Sequence, residues 1–367
     1  MHASPRFERA PRRVYWEVTR ACDLACRHCR AEAAPEPDPR ELDSAESARL
    51  LERLAGFGEP LPHLIFTGGD PLKRADLFAL IEGARAVGFE VSVAPSGTPL
   101  LTPEVIGRLK RAGVAAISLS FDGSDAARHD ALRRVPGCFD RTLSVARAAA
   151  MEGLPFQVNT LVSAETLDDL PAIHGLACRL GAARWSLFFL VSVGRGTLLR
   201  PITAEACERL FERLLDLDGG GAGGRGSGRG PVVTTTEAPH FRRVVLERAR
   251  RAGQGLAALP QGPMGHGAGI RDGNGIMFIS HTGEVWPSGF LPLSAGSVRE
   301  ADPVALYRDA AIFRTLRRAD LLGGRCGRCE YADGCGGSRA RAFAATGDAM
   351  AEDPLCLYQP APSLSTA

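Results

Sequence analysis

Three cysteines fall close together near the start of the chain, Cys22, Cys26 and Cys29 in ACDLACRHCR. A disulfide framework would want an even number here, and a tetrahedral zinc site would want a fourth ligand. Three thiolates at this spacing suit a cubane iron–sulfur cluster better. Such a cluster usually takes four cysteines, so a set of three leaves one iron open for a substrate or cofactor. Zinc with a distant fourth ligand and three buried structural thiols are the competing readings. A second set lies near the other end: Cys326, Cys329 and Cys335, spaced C-x2-C-x5-C, with Cys356 as a distant fourth. Four thiolates complete one cluster without an open iron, which suits an electron relay or a structural anchor. The same spacing is also a zinc pattern.

These residues need elements to position them. VYWEVT (14–19) runs into the cysteine triplet, HLIFT (63–67) into GGDP, EVSVA (90–94) into PSGT, and AAISLS (115–120) into FDGS. FQVNTLV (156–162) and RWSLFFL (184–190) follow, and each of the six runs is succeeded by a stretch with helical periodicity. Read as strands apolar on both faces and separated by helices, they predict a parallel sheet. Right-handed crossovers then give a doubly wound sheet or a barrel. In either, chemistry collects where the strands end, so the triplet and the three loops face one mouth.

Composition narrows the function. The chain has 367 residues, 45% hydrophobic and 23% charged, enough for a sizeable core. A net charge of +2 argues against a dedicated nucleic-acid binder. No run approaches the roughly 18 apolar residues of a membrane span, and the polar, basic N-terminus does not read as a secretory signal. The expectation is a cytoplasmic protein whose ten cysteines serve metal or catalysis rather than disulfides. Residues 218–230, DGGGAGGRGSGRG, read as a flexible linker or insertion. They separate a core over 1–217 from a second domain over 231–367. The latter holds a hairpin about His281-Thr282-Gly283, a helix over PVALYRDAAIFRTLRRAD, and the cysteine-rich tail.

Cys22-x3-Cys26-x2-Cys29 after a strand resembles the signature of the radical S-adenosylmethionine (SAM) superfamily. The resemblance implies a partial (β/α)6 TIM-like barrel and a [4Fe–4S] cluster whose open iron chelates SAM. It also implies one-electron cleavage of SAM to a 5′-deoxyadenosyl radical that abstracts a substrate hydrogen. Downstream strand ends carry it further. Thr67-Gly68-Gly69-Asp70-Pro71 resembles the family's GGEP motif, which holds the SAM amino group; Asp70 in place of glutamate would keep an acceptor for the ammonium. Ser96 matches a strand-end position that contacts the ribose or carboxylate. Asp122-Gly123, with His129-Asp130 and Arg133, is similar to the segment whose arginine pairs with the SAM carboxylate, adjacent Arg134 competing for that role. Asn159 sits where another SAM contact is common.

The tail resembles the SPASM, or twitch-like, extension of peptide- and cofactor-maturing members. In full form that extension carries seven cysteines and two auxiliary clusters. Here Ser288 and Arg339 stand at two of the ligand positions, both belonging to the first auxiliary cluster. The resemblance therefore implies two [4Fe–4S] clusters in total, the auxiliary one held by Cys326, Cys329, Cys335 and Cys356. Cys138, Cys178 and Cys207 fall in or beside predicted helices and read as small buried side chains.

TRACDLACRHCRAEA, FTGGDPLKRADLF, TTTEAPHFRR and CGGSRARAFAATGD are similar to the radical SAM enzymes of tetrapyrrole biosynthesis, which remove or oxidise propionates. That similarity implies a tetrapyrrole substrate, with Arg242, Arg243, Arg339 and Arg341 available for propionates and His240 for iron. It also implies an electron donor such as a flavodoxin or ferredoxin. A peptide maturase forming a crosslink is a second reading; with no leader-binding module before Val14, it would need a separate partner. A non-catalytic iron–sulfur electron carrier is a third, and it would have no use for GGDP, Ser96 or Arg133.

Overall fold

A computed structural model describes residues 7–217, 230–253 and 269–360. The expected linker lies outside them, apart from Gly230.

All six expected strands form: β1 (Arg13–Thr19), β2 (His63–Gly68), β3 (Val91–Val93), β4 (Ala116–Ser120), β5 (Phe156–Val162) and β6 (Arg184–Phe189). Between them run α1 (Ser44–Leu54), α2 (Leu77–Val87), α3 (Pro103–Arg111), α4 (Ala126–Arg133), α5 (Cys138–Glu152) and α6 (Leu170–Leu180). Local chemistry sets the helix ends. Asp43 and Glu46 close a capping box on α1, and Thr102 caps α3 ahead of Pro103. Gly153 takes a left-handed conformation to end α5.

The sheet is larger than six strands. After α7 (Ala204–Leu217), β7 (Val232–Thr236) pairs in parallel with β6 and leads into α8 (Phe241–Arg251). Further on, β8 (Ile276–Ile279) pairs in parallel with β1 and turns back through β9 (Val285–Trp286), so the hairpin about His281 forms as expected. Among the described residues the sheet is open and nine-stranded, in the order β7-β6-β5-β4-β3-β2-β1-β8-β9. Strands on both sides of residues 218–230 thus belong to one sheet. α9 (Pro303–Asp309), α10 (Ala311–Leu316), α11 (Gly324–Gly327) and α12 (Arg339–Thr346) follow. None of the described helices is long and apolar enough to cross a membrane.

One expectation is corrected: the strands are not apolar on both faces. Val14, Trp16, Leu64, Phe66, Ile117, Leu119, Val158, Trp185 and Leu187 all belong to the main core with the helices. The alternate residues Ser118, Gln157 and Arg184 fall in one register row, and Ser120, Asn159 and Ser186 in the next. A strand's side chains alternate, so helices on one face leave the other free to line a chamber. That face is polar because it is not the core. Phe188 on it stands 6.5 Å, ring to ring, from Phe290 of the C-terminal region, which packs over this side.

Candidate active site

The loop after β1 is shaped by its own backbone. Cys22 N–H donates to the Ala34 carbonyl (2.8 Å), and Glu41 accepts from Thr19 Oγ1 and Arg20 N–H, both at 2.8 Å. Cys22 and Cys26 are buried, with Cys29 beside them, in a small cluster with Leu24, Ala33 and Cys138. All ten cysteines are free thiols. Burial pushes the Cys22 thiol up to about 11, and it raises Cys26 too, against the pull of Arg133. Such thiols ionise readily only with a cation among them, as iron would be. Three thiols gathered in one small cluster fit a three-cysteine cluster site.

Gly68 and Gly69 bring the next loop hard against this one. A Cβ on Gly69 would lie 2.4 Å from the Ala21 carbonyl oxygen, and one on Gly68 2.3 Å from that of Thr19. Gly69 N–H donates to the Thr19 carbonyl (2.9 Å) and Asp70 N–H to that of Ala21 (2.7 Å). Pro71 opens the short 3-10 turn that follows. Asp70 itself departs from the expected open acceptor for an ammonium. Its carboxylate is fully buried and accepts from Thr98 Oγ1 (2.6 Å), Leu72 N–H (3.2 Å) and Ser96 N–H (3.3 Å). The side chain is one methylene shorter than glutamate and is consumed in bracing its own loop. Burial raises its pKa.

Ser96 joins the loops: its hydroxyl donates to the Gly69 carbonyl (2.7 Å) and lies 3.7 Å from the Cys22 sulfur. Asp122, at the end of β4, is buried. It accepts from Leu161 N–H (2.8 Å) and pairs with Arg133 at the end of α4. Burial, the largest single influence, opposes ionisation there, but Arg133, His28, His129 and the Leu161 N–H together overcome it and hold the carboxyl at about 2. A second guanidinium nitrogen of Arg133 lies 3.6 Å from the Cys26 sulfur. Arg134 is exposed, in a left-handed cap (φ 60°), so of the two arginines Arg133 reaches the cluster of thiols. His129 is a buried neutral imidazole, Nδ1 accepting from Asp122 N–H (3.1 Å), and Asp130 caps the start of α5. Asn159 stays within β5 on the polar face, Oδ1 accepting from Gln157 (2.6 Å).

Sequence reasoning missed the loop after β6. Arg195 there donates from its backbone to Cys29 O (3.0 Å) and from its side chain to Cys26 O (2.9 Å) and Ala33 O (3.2 Å). The available signal was Gly194-Arg195-Gly196 following the sixth strand at the same mouth. It also missed Glu17, which pairs with Arg30 of the cysteine loop (3.0 Å) and with His281 of the hairpin (2.7 Å).

The second four cysteines converge as well. Cys326, Cys329, Cys335 and Cys356 line one cavity, together with His240, Arg243, Tyr331 and Tyr358. Burial pushes Cys335 up to about 12 and Cys356 up to about 11. The donor set fits one four-iron cluster, and by ligand type alone also zinc. Cys138 and Cys207 are buried and Cys178 is half-buried.

The arginines expected at propionates are engaged elsewhere. Arg243 pairs with Glu208 and Glu247, and Arg341 with Asp353. Arg339 is fully buried and donates to the carbonyls of Ala349, Ala351 and Gly337. Arg242 donates to those of Ile270 and Gly334. His240 is fully buried, 3.3 Å from Cys207 and 3.7 Å from Asp353. These residues wall the second cysteine cavity or brace its surroundings, because their guanidinium and imidazole groups already have partners in the fold.

Three comparisons bear on this geometry. The family model described as the radical SAM superfamily matches residues 16–177. The chain is 39% identical over 360 residues to the AdoMet-dependent heme synthase of Oleidesulfovibrio alaskensis, covering 96% of this chain and 88% of that one. It is 30% identical over 368 residues to the PqqA peptide cyclase of Rhodopseudomonas palustris, covering 95% and 88%. Its fold is similar to that of Streptococcus suis SuiB bound to S-adenosylmethionine, with a TM-score of 0.73 at 15% identity, covering 95% of this chain and 77% of that one. With the family model matching residues 16–177 and relatives matched along nearly the whole chain, this protein belongs to the radical SAM superfamily and is an enzyme of that class.

Proposed function

We propose that this enzyme acts on the propionate side chains of an iron tetrapyrrole, removing or oxidising them. The observation that carries the reading is the 39% identity, end to end, with an AdoMet-dependent heme synthase, against 30% with a peptide cyclase. As a radical SAM enzyme the chain uses SAM and a [4Fe–4S] cluster, and we assign that cluster to Cys22, Cys26 and Cys29. When bound, it supplies the electron that splits SAM and so starts hydrogen abstraction. In this reading Gly68, Gly69, Asp70 and Pro71 form the wall against which SAM lies, the glycine backbone offering acceptors while Asp70 fixes the loop. Ser96 orients that wall toward Cys22. Arg133, held by Asp122, presents its charge beside Cys26 where the SAM carboxylate would come. Asn159 extends the polar surface along β5 toward the substrate.

We assign an auxiliary cluster to Cys326, Cys329, Cys335 and Cys356, as electron acceptor or relay. The convergence of four thiols on one cavity supports that assignment. In domain terms, residues 1–217 form the SAM-binding core, and the region from 231 onward carries the auxiliary site and completes the sheet. A flavodoxin- or ferredoxin-like donor would supply the electron.

Anaerobic reconstitution with SAM and dithionite tests the proposal. Release of 5′-deoxyadenosine that depends on an iron porphyrin bearing propionates, with loss of propionate mass, is expected. Slow release indifferent to porphyrin would transfer the reading to a peptide. No release with both clusters intact would favour an electron carrier.

A further inference from the structure

With the four expected arginines engaged elsewhere, acidic side chains on a substrate need other partners. The register supplies two. Arg13 opens β1 opposite His63, and Arg184 opens β6 opposite Gln157. Each points away from the helix-packed face, since its neighbours Val14 and Trp185 are fully buried in the main core. Both therefore stand on the polar face, at the N-terminal ends of their strands. Both are half-buried.

Neither guanidinium has a carboxylate or hydrogen-bond partner among the described residues. The sequence outside those residues carries a single carboxylate side chain, Asp218. Glu90, an acid on this end of the sheet, lies against His63 (3.7 Å) and is 66% exposed. The two cations also feel one another across the open sheet. Burial, and then Arg13, lower the pKa of Arg184. Arg13 lowers that of Arg242 as well, after burial and Arg271. A half-buried cation that repels its neighbour and lacks a counter-ion costs stability, so a fold that keeps two of them is holding a place for an anion.

We propose that Arg13 and Arg184, two guanidinium groups without a partner among the described residues that the register brings onto the polar face of the sheet, form a subsite for carboxylate side chains of the substrate. The inference rests on the tetrapyrrole reading and adds the residues that hold its propionates. They sit at the strand ends opposite the SAM-binding mouth. A substrate anchored there would extend along the polar rows of β4, β5 and β6, with its far end toward Cys22, Cys26 and Cys29. A guanidinium suits the task because its planar fork matches a carboxylate with two parallel hydrogen bonds.

The test compares the reconstituted enzyme with its Arg184→Gln and Arg13→Gln variants. Absorption titrations would use an iron porphyrin bearing propionates and the same macrocycle as its methyl ester. Wild type should bind the acid more tightly than the ester. Each variant should lose about tenfold or more in affinity for the acid and little for the ester. Without porphyrin, each variant should melt at the same temperature as wild type or about 1–3 °C higher, because a repulsion is removed. A purely structural arginine would instead lower the melting temperature. Unchanged affinity for the acid, or equal losses for acid and ester, would overturn the subsite while leaving the tetrapyrrole reading intact. Failure of wild type to bind either porphyrin would remove that reading, and this inference with it.

Discussion

Arg133 lies with one nitrogen on the Asp122 carboxylate and another 3.6 Å from the Cys26 sulfur, so a single side chain ties the end of β4 to the cysteine loop. Asp122 is 2% exposed, and removing one member of a buried pair leaves the other charge uncompensated. Asp122→Asn is expected to destabilise the protein by about 3–5 kcal/mol. The double variant Asp122→Asn/Arg133→Met should recover much of that loss, since no buried charge remains. Urea unfolding of Asp122→Asn, Arg133→Met and the double variant measures the coupling, and simple additivity of the two single changes would contradict it.

The same pair gives a pH dependence. The Asp122 carboxyl is held at about 2, below its ordinary 3.8. A depressed carboxyl contributes stability above its unfolded pKa, and that contribution is lost as pH falls through the folded value. The window is therefore about pH 4 down to about pH 2, and the loss is roughly 2 kcal/mol. Unfolding of the cluster-free protein across this range should show it for wild type. Asp122→Asn should lack this component of the slope.

Gly69→Ala tests the fit between the first two loops. The added methyl would meet backbone carbonyls of Arg20 and Ala21 at 2.6 and 2.4 Å, which a rotamer change cannot relieve. The loops must part, at a cost of about 1–3 kcal/mol. Iron bound through Cys22, Cys26 and Cys29 should fall with it. Gly83→Ala, whose Cβ would be 3.6 Å from a Leu51 methyl, is the control and should retain both stability and iron.

What the sequence disclosed depended on local signals. The strand-end positions of Cys22, Gly69, Ser96 and Asp122 were legible because each follows a short apolar run with strand character. The polar face was not, since the runs that hold Ser118 and Gln157 read as strands apolar on both faces rather than as half-packed strands whose alternate residues are polar. β7 was obscured by the glycine-rich stretch before it, although Val232 and Val233 followed by three threonines have strong strand character. Arg243 and Arg341 read as substrate contacts, although Glu247 stands four residues from Arg243, because nothing local in the sequence marks Glu208 and Asp353 as their partners. Only the fold brings them together.

The second cysteine set makes a countable prediction. With two four-iron clusters the intact protein should carry about eight iron atoms per chain. Cys335→Ala should lower this to about four while leaving SAM binding in place, because Cys335 lines a cavity separate from the cysteine triplet. About four iron atoms with one zinc in the unaltered protein would instead make the second site a zinc site.

Arg339 bears on why a third cluster is not expected. It occupies one of the positions where the resemblance places a cysteine, and Ser288 the other. Both are buried, and each directly adjoins or lies near residues of one apolar cluster, formed by Val191, Leu291, Leu316, Ala340 and Ala349. The Arg339 guanidinium satisfies carbonyls that have no other partner among the described residues, donating to Ala349 (2.9 Å), Ala351 (2.6 Å) and Gly337 (3.3 Å). Restoring both cysteines, Ser288→Cys with Arg339→Cys, removes those donors and leaves a void beside them. Each buried carbonyl left unpaired costs about 1–3 kcal/mol. The double variant should therefore melt roughly 5 °C or more below wild type and still hold about eight iron atoms. Unchanged stability in the double variant would mean that the Arg339 guanidinium does not hold this region together.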